Sequence, residues 1–408
     1  MVAFTFMRRL ALFVAGIAVS HSVVAAPSEV DARSVTPQKR NFLAAAPHFV
    51  IYNDKWVTFP TPDELVGYNV FALSFWLSGG SADQAQDWEE EYTAAQRSAL
   101  KASYNAAGIS MIVSAFGSTE TPASSGIDPT LSAQNLAAWV KEYDMDGVDV
   151  DFEDLAAFNG GTGSAENWLI TFTTELRSLL PAGQYIISHA PLAPWFQPSP
   201  RWGGGGFLKV DSSVGSLIDF YNVQFYNQGT SEYTDCAGLL TTSSSAWPNT
   251  ALFQIAASGV SQNKLVIGKP ATAADASNGY VDPATLATCV STAVSKGWNG
   301  GIMVWQWPDA ESAWIEQVRG TAFPSGGGGG TTTTPPTGPT STTTSTSATS
   351  TPSGGSGSCS GVAAWSSSVA YTGGSQVTYN GDLWTAAYWT EADTPGGSAG
   401  VWTKVGAC

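Results

Sequence analysis

Charge is scarce in this chain. Asp, Glu, Lys and Arg make up 12% of its 408 residues, about half the share of an ordinary soluble domain. The shortage falls hardest on the bases: 17 Lys and Arg stand against 33 Asp and Glu, a formal net charge of −16. With no basic stripe and a strongly acidic balance, the chain repels phosphate, which excludes nucleic acid as a partner. Cysteine and histidine are also few, at four and three. Their positions form no zinc-binding spacing, so no metal site is expected. No Gly-rich turn follows the first strand-like segment, so the nucleotide fingerprint of an open doubly wound sheet is missing and no cofactor is expected. Long apolar runs are lacking as well. The longest, Leu10 to Val19, is too short to span a membrane. Nothing points to more than a monomer.

What the chain does have is aromatic: 16 Trp, 13 Tyr and 18 Phe. Few charges and many rings suit either large apolar cores or surfaces that meet uncharged sugar rings. The N-terminus has the order of a secretory signal, with Arg8 and Arg9, then the apolar run, then Ala25 and Ala26, so residues 1–26 are read as a signal peptide and the product as secreted and extracellular. A polar stretch closed by Lys39-Arg40 suggests a propeptide at 27–40, the alternative being a solvated charge pair. Four cysteines in a secreted chain favour disulfides. Residues 324–358 are almost wholly Pro, Gly, Ser and Thr, a linker with nothing apolar to bury and a composition that invites O-glycosylation. It separates a body, 41–323, from a tail, 359–408. Connectivity is not readable from sequence, but one bridge on each side of the linker favours Cys236–Cys289 and Cys359–Cys408.

The body alternates strand-like and helix-like segments. Candidate strands are His48 to Tyr52, Val70 to Phe75, Ser110 to Ala115, Gly147 to Phe152, Tyr185 to His189, Phe220 to Phe225, Lys264 to Gly268 and Gly301 to Trp305. Most are continuous apolar runs, as parallel strands buried on both faces require. Helical patterns lie between them, including Ala133 to Tyr143 and Glu166 to Leu180. Asp282-Pro283 reads as an N-cap followed by Pro at the first helical position, opening Ala284 to Val294. Eight such units predict an α/β fold of the (β/α)8 TIM-barrel type, with a doubly wound sheet as the competing architecture.

The fourth of these strands carries Asp146-Gly147-Val148-Asp149-Val150-Asp151-Phe152-Glu153. With a period of two, Asp149, Asp151 and Glu153 share one face and Val148, Val150 and Phe152 the other. Inside a barrel the acids point into the lumen, with Glu153 nearest the C-terminal mouth where barrel chemistry occurs. Crowded carboxylates in a low-dielectric interior repel one another and raise at least one pKa, the condition for a carboxyl to serve as a general acid. Alternating valines argue against a calcium loop.

Asp-x-x-Asp-x-Asp-x-Glu on the fourth barrel strand resembles the signature of family-18 chitinases. The resemblance extends over 45–323 and includes Phe220 to Asn227 and Gly301 to Trp305. It implies that Glu153 protonates the glycosidic oxygen, that Asp151 holds the substrate's acetamido group, and that Asp149 shares a proton with Asp151. Tyr226 is implied as an acetamido donor, Gln224 and Asn227 as pocket lining, Trp305 as a floor under the sugar and Tyr52 as a further pocket residue. The implied chemistry is retaining and substrate-assisted, an exception to the two-carboxylate rule. Asp146 lies off the catalytic face and is read as structural. Two departures stand out: Ser114-Ala115-Phe116-Gly117-Ser118 replaces a Ser-x-Gly-Gly pattern, and Phe152 replaces the usual Trp. Both are expected to be tolerable in packing. The short stretch between strands seven and eight leaves no room for an extra insertion domain, so an open groove and endo action are expected.

The tail holds Trp365, Tyr371, Tyr379, Trp384, Tyr388, Trp389 and Trp402, more rings than so small a domain can bury. It resembles the small β-rich chitin- and cellulose-binding modules. That resemblance implies Tyr371, Tyr388 and Trp389 as an exposed sugar platform, with Trp365, Tyr379, Trp384 and Trp402 as core. The whole reads as a chitinase whose partners are chitin polymer and N-acetylglucosamine oligomers. The alternatives are an endo-β-N-acetylglucosaminidase acting on N-glycans and a non-catalytic chitin lectin.

Overall fold

The computed structural model describes residues 43–198 and 200–324, and in the tail residues 359, 362–367, 371, 375–386, 394–397 and 401–407. Residues 1–42, where a signal peptide and propeptide are expected, the expected linker beyond residue 324, Tyr388, Trp389 and Cys408 lie outside the described residues. All eight expected strands form: β1 (His48–Asn53), β2 (Val70–Leu77), β3 (Ser110–Gly117), β4 (Gly147–Phe152), β5 (Ile186–His189), β6 (Phe220–Gln224), β7 (Leu265–Pro270) and β8 (Gly301–Trp305). Neighbours in sequence pair in parallel. β1 also pairs with both ends of the series, Val50 lying beside Val70 of β2 and Met303 of β8. That double pairing closes the sheet and rules out the open doubly wound alternative.

Closure sorts each strand's side chains by the period of two. Val50, Val70, Ala72, Ile112, Ile186, Phe220, Val266 and Met303 meet in the lumen. Phe71, Met111, Val113, Val148, Val150, Phe152, Ile187, Val223, Leu265, Ile267 and Ile302 pack outward in the layer of helices. The helices begin where the sequence offers caps. Asp282 accepts from Thr285 N at 3.0 Å and opens Pro283–Ser295, and Asp128 does the same for Pro129–Glu142 through Leu131 N at 2.9 Å. Helix Ser164–Leu179 covers the outer face of the barrel in the same layer, with Trp168 set 5.3 Å from Phe152, so the smaller ring on β4 is well packed. Cys236 and Cys289 form a disulfide, Cα to Cα 4.9 Å. Among the described residues no helix is long and apolar enough to cross a membrane.

In the tail, β9 (Gln376–Tyr379), β10 (Asp382–Ala386) and β11 (Trp402–Ala407) form an antiparallel sheet. Asn380 and Gly381, at φ 52° and 81°, make the β9–β10 turn, the conformation Asn-Gly hairpins favour. Tyr371 corrects the expected platform. It is buried with Val377, Ala386, Val401 and Trp402, its ring 5.3 Å from Trp402 and its hydroxyl accepting from Ser366 N at 2.7 Å. So few apolar residues are available that the sheet needs this ring as core, and the hydroxyl is satisfied locally. Trp365 and Trp384 are only half-buried against that core, as is Tyr379, 5.4 Å from Trp365. Cys359 is disulfide-bonded.

Asp146 ties the lower end of the barrel together. It accepts from Lys101 Nζ and from Met111 N, each at 2.8 Å, and Lys101 also donates to Asp144 O at 2.7 Å. Helix Ala94–Ala106 is thereby pinned to β3 and to the start of β4. Because Lys101 and Asp146 are both buried, removing one partner strands the other. Asp146→Ala is expected to cost about 3–5 kcal/mol in denaturant unfolding. The double replacement Lys101→Met/Asp146→Leu should lose less than the sum of the singles, and a strictly additive loss would show that the pair does not act as a unit.

Candidate active site

The three acids of β4 form a column whose environment changes with depth. Asp149 is deepest and fully buried. Its Oδ2 accepts from Tyr52 OH at 2.7 Å and Ser114 Oγ at 2.9 Å, and its Oδ1 from Ser188 Oγ at 2.6 Å and Asn222 Nδ2 at 3.0 Å. Burial raises its pKa while these four donors pull it back. Asp151 stands above it, accepting from Gln224 Nε2 at 3.0 Å. Burial, then the charges of Glu153 and Asp149, then a hydrogen bond with Glu153 hold Asp151 well above the ordinary carboxylate range. Glu153, just past the end of β4, is also raised by burial and is eased back by hydrogen bonds from Gln224, at 3.3 Å, and Asp151. Two carboxyls in one hydrogen bond share a proton, because both cannot ionise at contact. Asp151 is thus crowded by Glu153 above it and by Asp149 below it, with Glu153 the stronger influence. Both Asp149 oxygens are already occupied.

The end of β6 brings the next residues. Gln224 also donates to Ala190 O at 2.9 Å, which fixes its amide between the two acids and β5. Tyr226 is buried, and its phenol is held well above its usual pKa by burial and then by the charges of Asp151, Glu153 and Asp149. It remains an O–H donor. Asn227, at φ 60°, accepts at Oδ1 from Ser277 N at 2.9 Å and Ser277 Oγ at 3.0 Å, so it braces the loop after β7 as well as lining the opening. Trp305 ends β8, half-buried, its ring 6.1 Å from Phe75 and 5.8 Å from Tyr52. Tyr52 is placed differently from the expectation. It is absent from the groove wall and lies behind it, holding Asp149 and accepting from Asn222 Nδ2 at 3.0 Å.

These groups open into a groove of about 870 Å³ at the C-terminal mouth of the barrel. All eight strand ends contribute to its wall: Asp54 and Trp56 after β1, Phe75 of β2, Ser118 after β3, Asp151 and Glu153, Leu192 after β5, Gln224 and Tyr226, Ala276 after β7, and Trp305. Asp54 is pushed up to about 6 by burial and by the charge of Asp83. Several residues of the site were not foreseen. Ser114, Ser188 and Asn222 hold Asp149, and their signal was available as polar residues at lumen positions of apolar strands. Asp154 is a buried cap that accepts from Ser124 N, Ser124 Oγ and Ala157 N at 2.7, 2.6 and 3.0 Å, anchoring the chain immediately after Glu153. Phe75 gave no signal. Its ring lies against Gly117, where an added Cβ would stand 2.8 Å away. Phe116, one residue earlier, sits at φ 82° in the left-handed region. Its ring packs well against Trp168 and Phe172, at 5.4 Å from each, so the departure from Ser-x-Gly-Gly is tolerated in packing and strained in backbone.

Residues 48–282 match the model of glycosyl hydrolases family 18. The chain belongs to glycosyl hydrolase family 18. Residues 364–403 match carbohydrate-binding module family 5/12. Among curated relatives, an endochitinase of Saccharomyces cerevisiae is 29% identical over 187 residues, 44% of this chain and 27% of its own length. Chitinase 1 of Rhizopus niveus is 30% identical over 42% of this chain and 28% of its own length. The chain thus spans little more than a quarter of those relatives. A solved family-18 chitinase from Pseudoalteromonas aurantia superposes with TM-score 0.52 at 28% identity, covering 66% of this chain and 98% of that one. A family-18 chitinase from Cycas revoluta in complex with allosamidin shares the fold at TM-score 0.52 and 13% identity, covering 68% of this chain and 100% of that one.

The raised acids carry a stability signature. Between the ordinary carboxylate range and the raised values, the folded family-18 barrel keeps a proton on Asp151 and Glu153 that the unfolded chain has released. Stability contributed by this pair therefore falls as pH rises through that window. Asp151→Asn removes the crowding. Thermal melts from pH 4 to 8 should show the wild type losing more stability across the range than the variant, and parallel profiles would mean the pair holds no extra proton.

Proposed function

We propose that this family-18 chain is a secreted chitinase that hydrolyses β-1,4 links between N-acetylglucosamine units with retention and substrate assistance. The observation that carries the reading is the gathering of Asp151, Glu153, Tyr226 and Trp305 on one opening, with both carboxyls accepting from the single amide nitrogen of Gln224. Carboxyls that close cannot flank a sugar from opposite sides as acid and nucleophile do, so the nucleophile must come from the substrate.

Glu153 delivers its proton to the bridging oxygen as the bond to the anomeric carbon breaks. The acetamido oxygen of the same sugar forms a bond to that carbon, giving an oxazolinium ion. Asp151 accepts from the acetamido N–H and stabilises the developing positive charge, while Tyr226 donates to the acetamido group. Trp305 supplies the apolar floor. Glu153, now a carboxylate, takes a proton from the water that reopens the ring, and the sugar is released with its original anomeric configuration. Asp149, held by four donors, keeps the base of the column in place.

The names of the relatives, endochitinase and chitinase, and the carbohydrate-binding match support chitin as substrate. A groove walled by every strand end, with a short β7–β8 connection, suits endo action. The signal-like N-terminus supports secretion, and 41–323 and 359–408 serve as catalytic and binding units, the latter closed by Cys359–Cys408. Tyr388 and Trp389 are assigned to the chitin-facing surface of the module.

Glu153→Gln is expected to lower kcat on chitin oligomers by about a hundredfold to ten-thousandfold while oligomer binding persists, and substantial residual turnover would remove Glu153 from the acid's role. Wild-type enzyme given chitin oligomers beside a high-mannose glycoprotein should release mixed short products from the first only. Glycan release from the second would shift the assignment to an endo-β-N-acetylglucosaminidase. Trp389→Ala should sharply reduce pull-down on solid chitin and spare hydrolysis of soluble oligomers, and unchanged pull-down would refute the platform.

A further inference from the structure

Strand β7 carries a lysine where an apolar residue would ordinarily stand. Leu265, Ile267 and Lys269 alternate toward the helix layer, on the face opposite lumen-facing Val266. Lys269 is fully buried, and among the described residues no carboxylate pairs with it. Its Nζ donates instead to three backbone carbonyls, Tyr233 O at 2.6 Å, Phe225 O at 2.7 Å and Gly279 O at 2.9 Å. Three donors meet three acceptors, the full capacity of an ammonium group. Burial without a counter-ion is costly, and it depresses this amine to about 7. A methionine would fill the same space without that cost.

The three carbonyls are informative by position. Phe225 immediately precedes Tyr226. Gly279 lies against Tyr226 from the other loop: at φ +87°, its missing Cβ would stand 2.6 Å from Tyr226 Cα. Between these anchors Asn227 N donates to Asn278 O at 3.1 Å, so the loops after β6 and β7 are laced together around Tyr226. Lys269 reaches this lacing from behind and forms no part of the groove wall.

We propose that Lys269 is a positioning residue for Tyr226: its amine clamps the two loops that set where the Tyr226 hydroxyl points. The inference rests on the reading of Tyr226 as a donor to the substrate. It assigns a function to a buried charge that the reaction itself does not use, and it places control of the acetamido donor on the far side of the β7 backbone.

A double-mutant cycle tests it on a chitin oligomer, with Lys269→Met, Tyr226→Phe and the combination. Lys269→Met should lower kcat by up to about a hundredfold, the effect of displacing a catalytic group by about 1 Å. In the Tyr226→Phe background it should cost no more than about threefold, because a hydroxyl that is absent cannot be misplaced. A merely structural lysine would give losses that multiply in full, and that result overturns the proposal, as does unchanged kcat in Lys269→Met. If Tyr226→Phe alone retains full activity, the reading of Tyr226 fails and takes this inference with it, a pattern distinct from additivity. Should Lys269→Met not fold, Gly279→Ala presses on Tyr226 without removing the amine. It should show the same non-additivity with Tyr226→Phe, and additive losses there would equally overturn the clamp.

Discussion

Asp149 is a carboxyl group with no access to water, and the centre of the barrel is arranged around keeping it there. An isolated buried charge would neutralise or unfold its surroundings. Here Tyr52, Ser114, Ser188 and Asn222 each supply a donor, one from each of β1, β3, β5 and β6. Those strands are far apart in sequence. They meet at one carboxylate only because the sheet closes, with β1 paired to β2 and β8.

Above that satisfied base, Asp151 and Glu153 are held in an arrangement that folding alone would not choose. They crowd each other and share one neighbour, Gln224. The pair is a local cost carried by the surrounding fold, in keeping with the trade between stability and activity at working sites. The same pattern recurs around it. Phe116 adopts a glycine-like backbone angle one residue before Gly117, which lies against the ring of Phe75, and Lys269 buries an amine with no counter-ion beneath the Tyr226 loops. Strain and buried charge cluster where side chains must be aimed, while the outer layer is ordinary apolar packing.

Much of this was legible from residues alone. The eight strands announced themselves as apolar runs because parallel strands are buried on both faces, and Asp282-Pro283 marked a helix start because cap chemistry is local. The alternation of acids and valines fixed which face each carboxyl occupies, since period two is a property of the strand and not of the fold. The misplaced residues were those whose role depends on depth or on a neighbour from elsewhere in the chain. Tyr52 sits at lumen parity yet behind the groove wall. Tyr371 is a ring whose burial is decided by how little else the small sheet can bury.

Sequence by itself determined the parallel α/β architecture, the acidic column on β4 and the order of its carboxyls toward the mouth. Each follows from periodicity, local propensity or composition, which act over a few residues. Tertiary structure alone decided that Gln224 bridges Asp151 and Glu153, that Ser114, Ser188 and Asn222 serve Asp149, and that Lys269 clamps the loops around Tyr226. Those outcomes depend mostly on distances between segments dozens of residues apart, and such distances exist only once the barrel has closed.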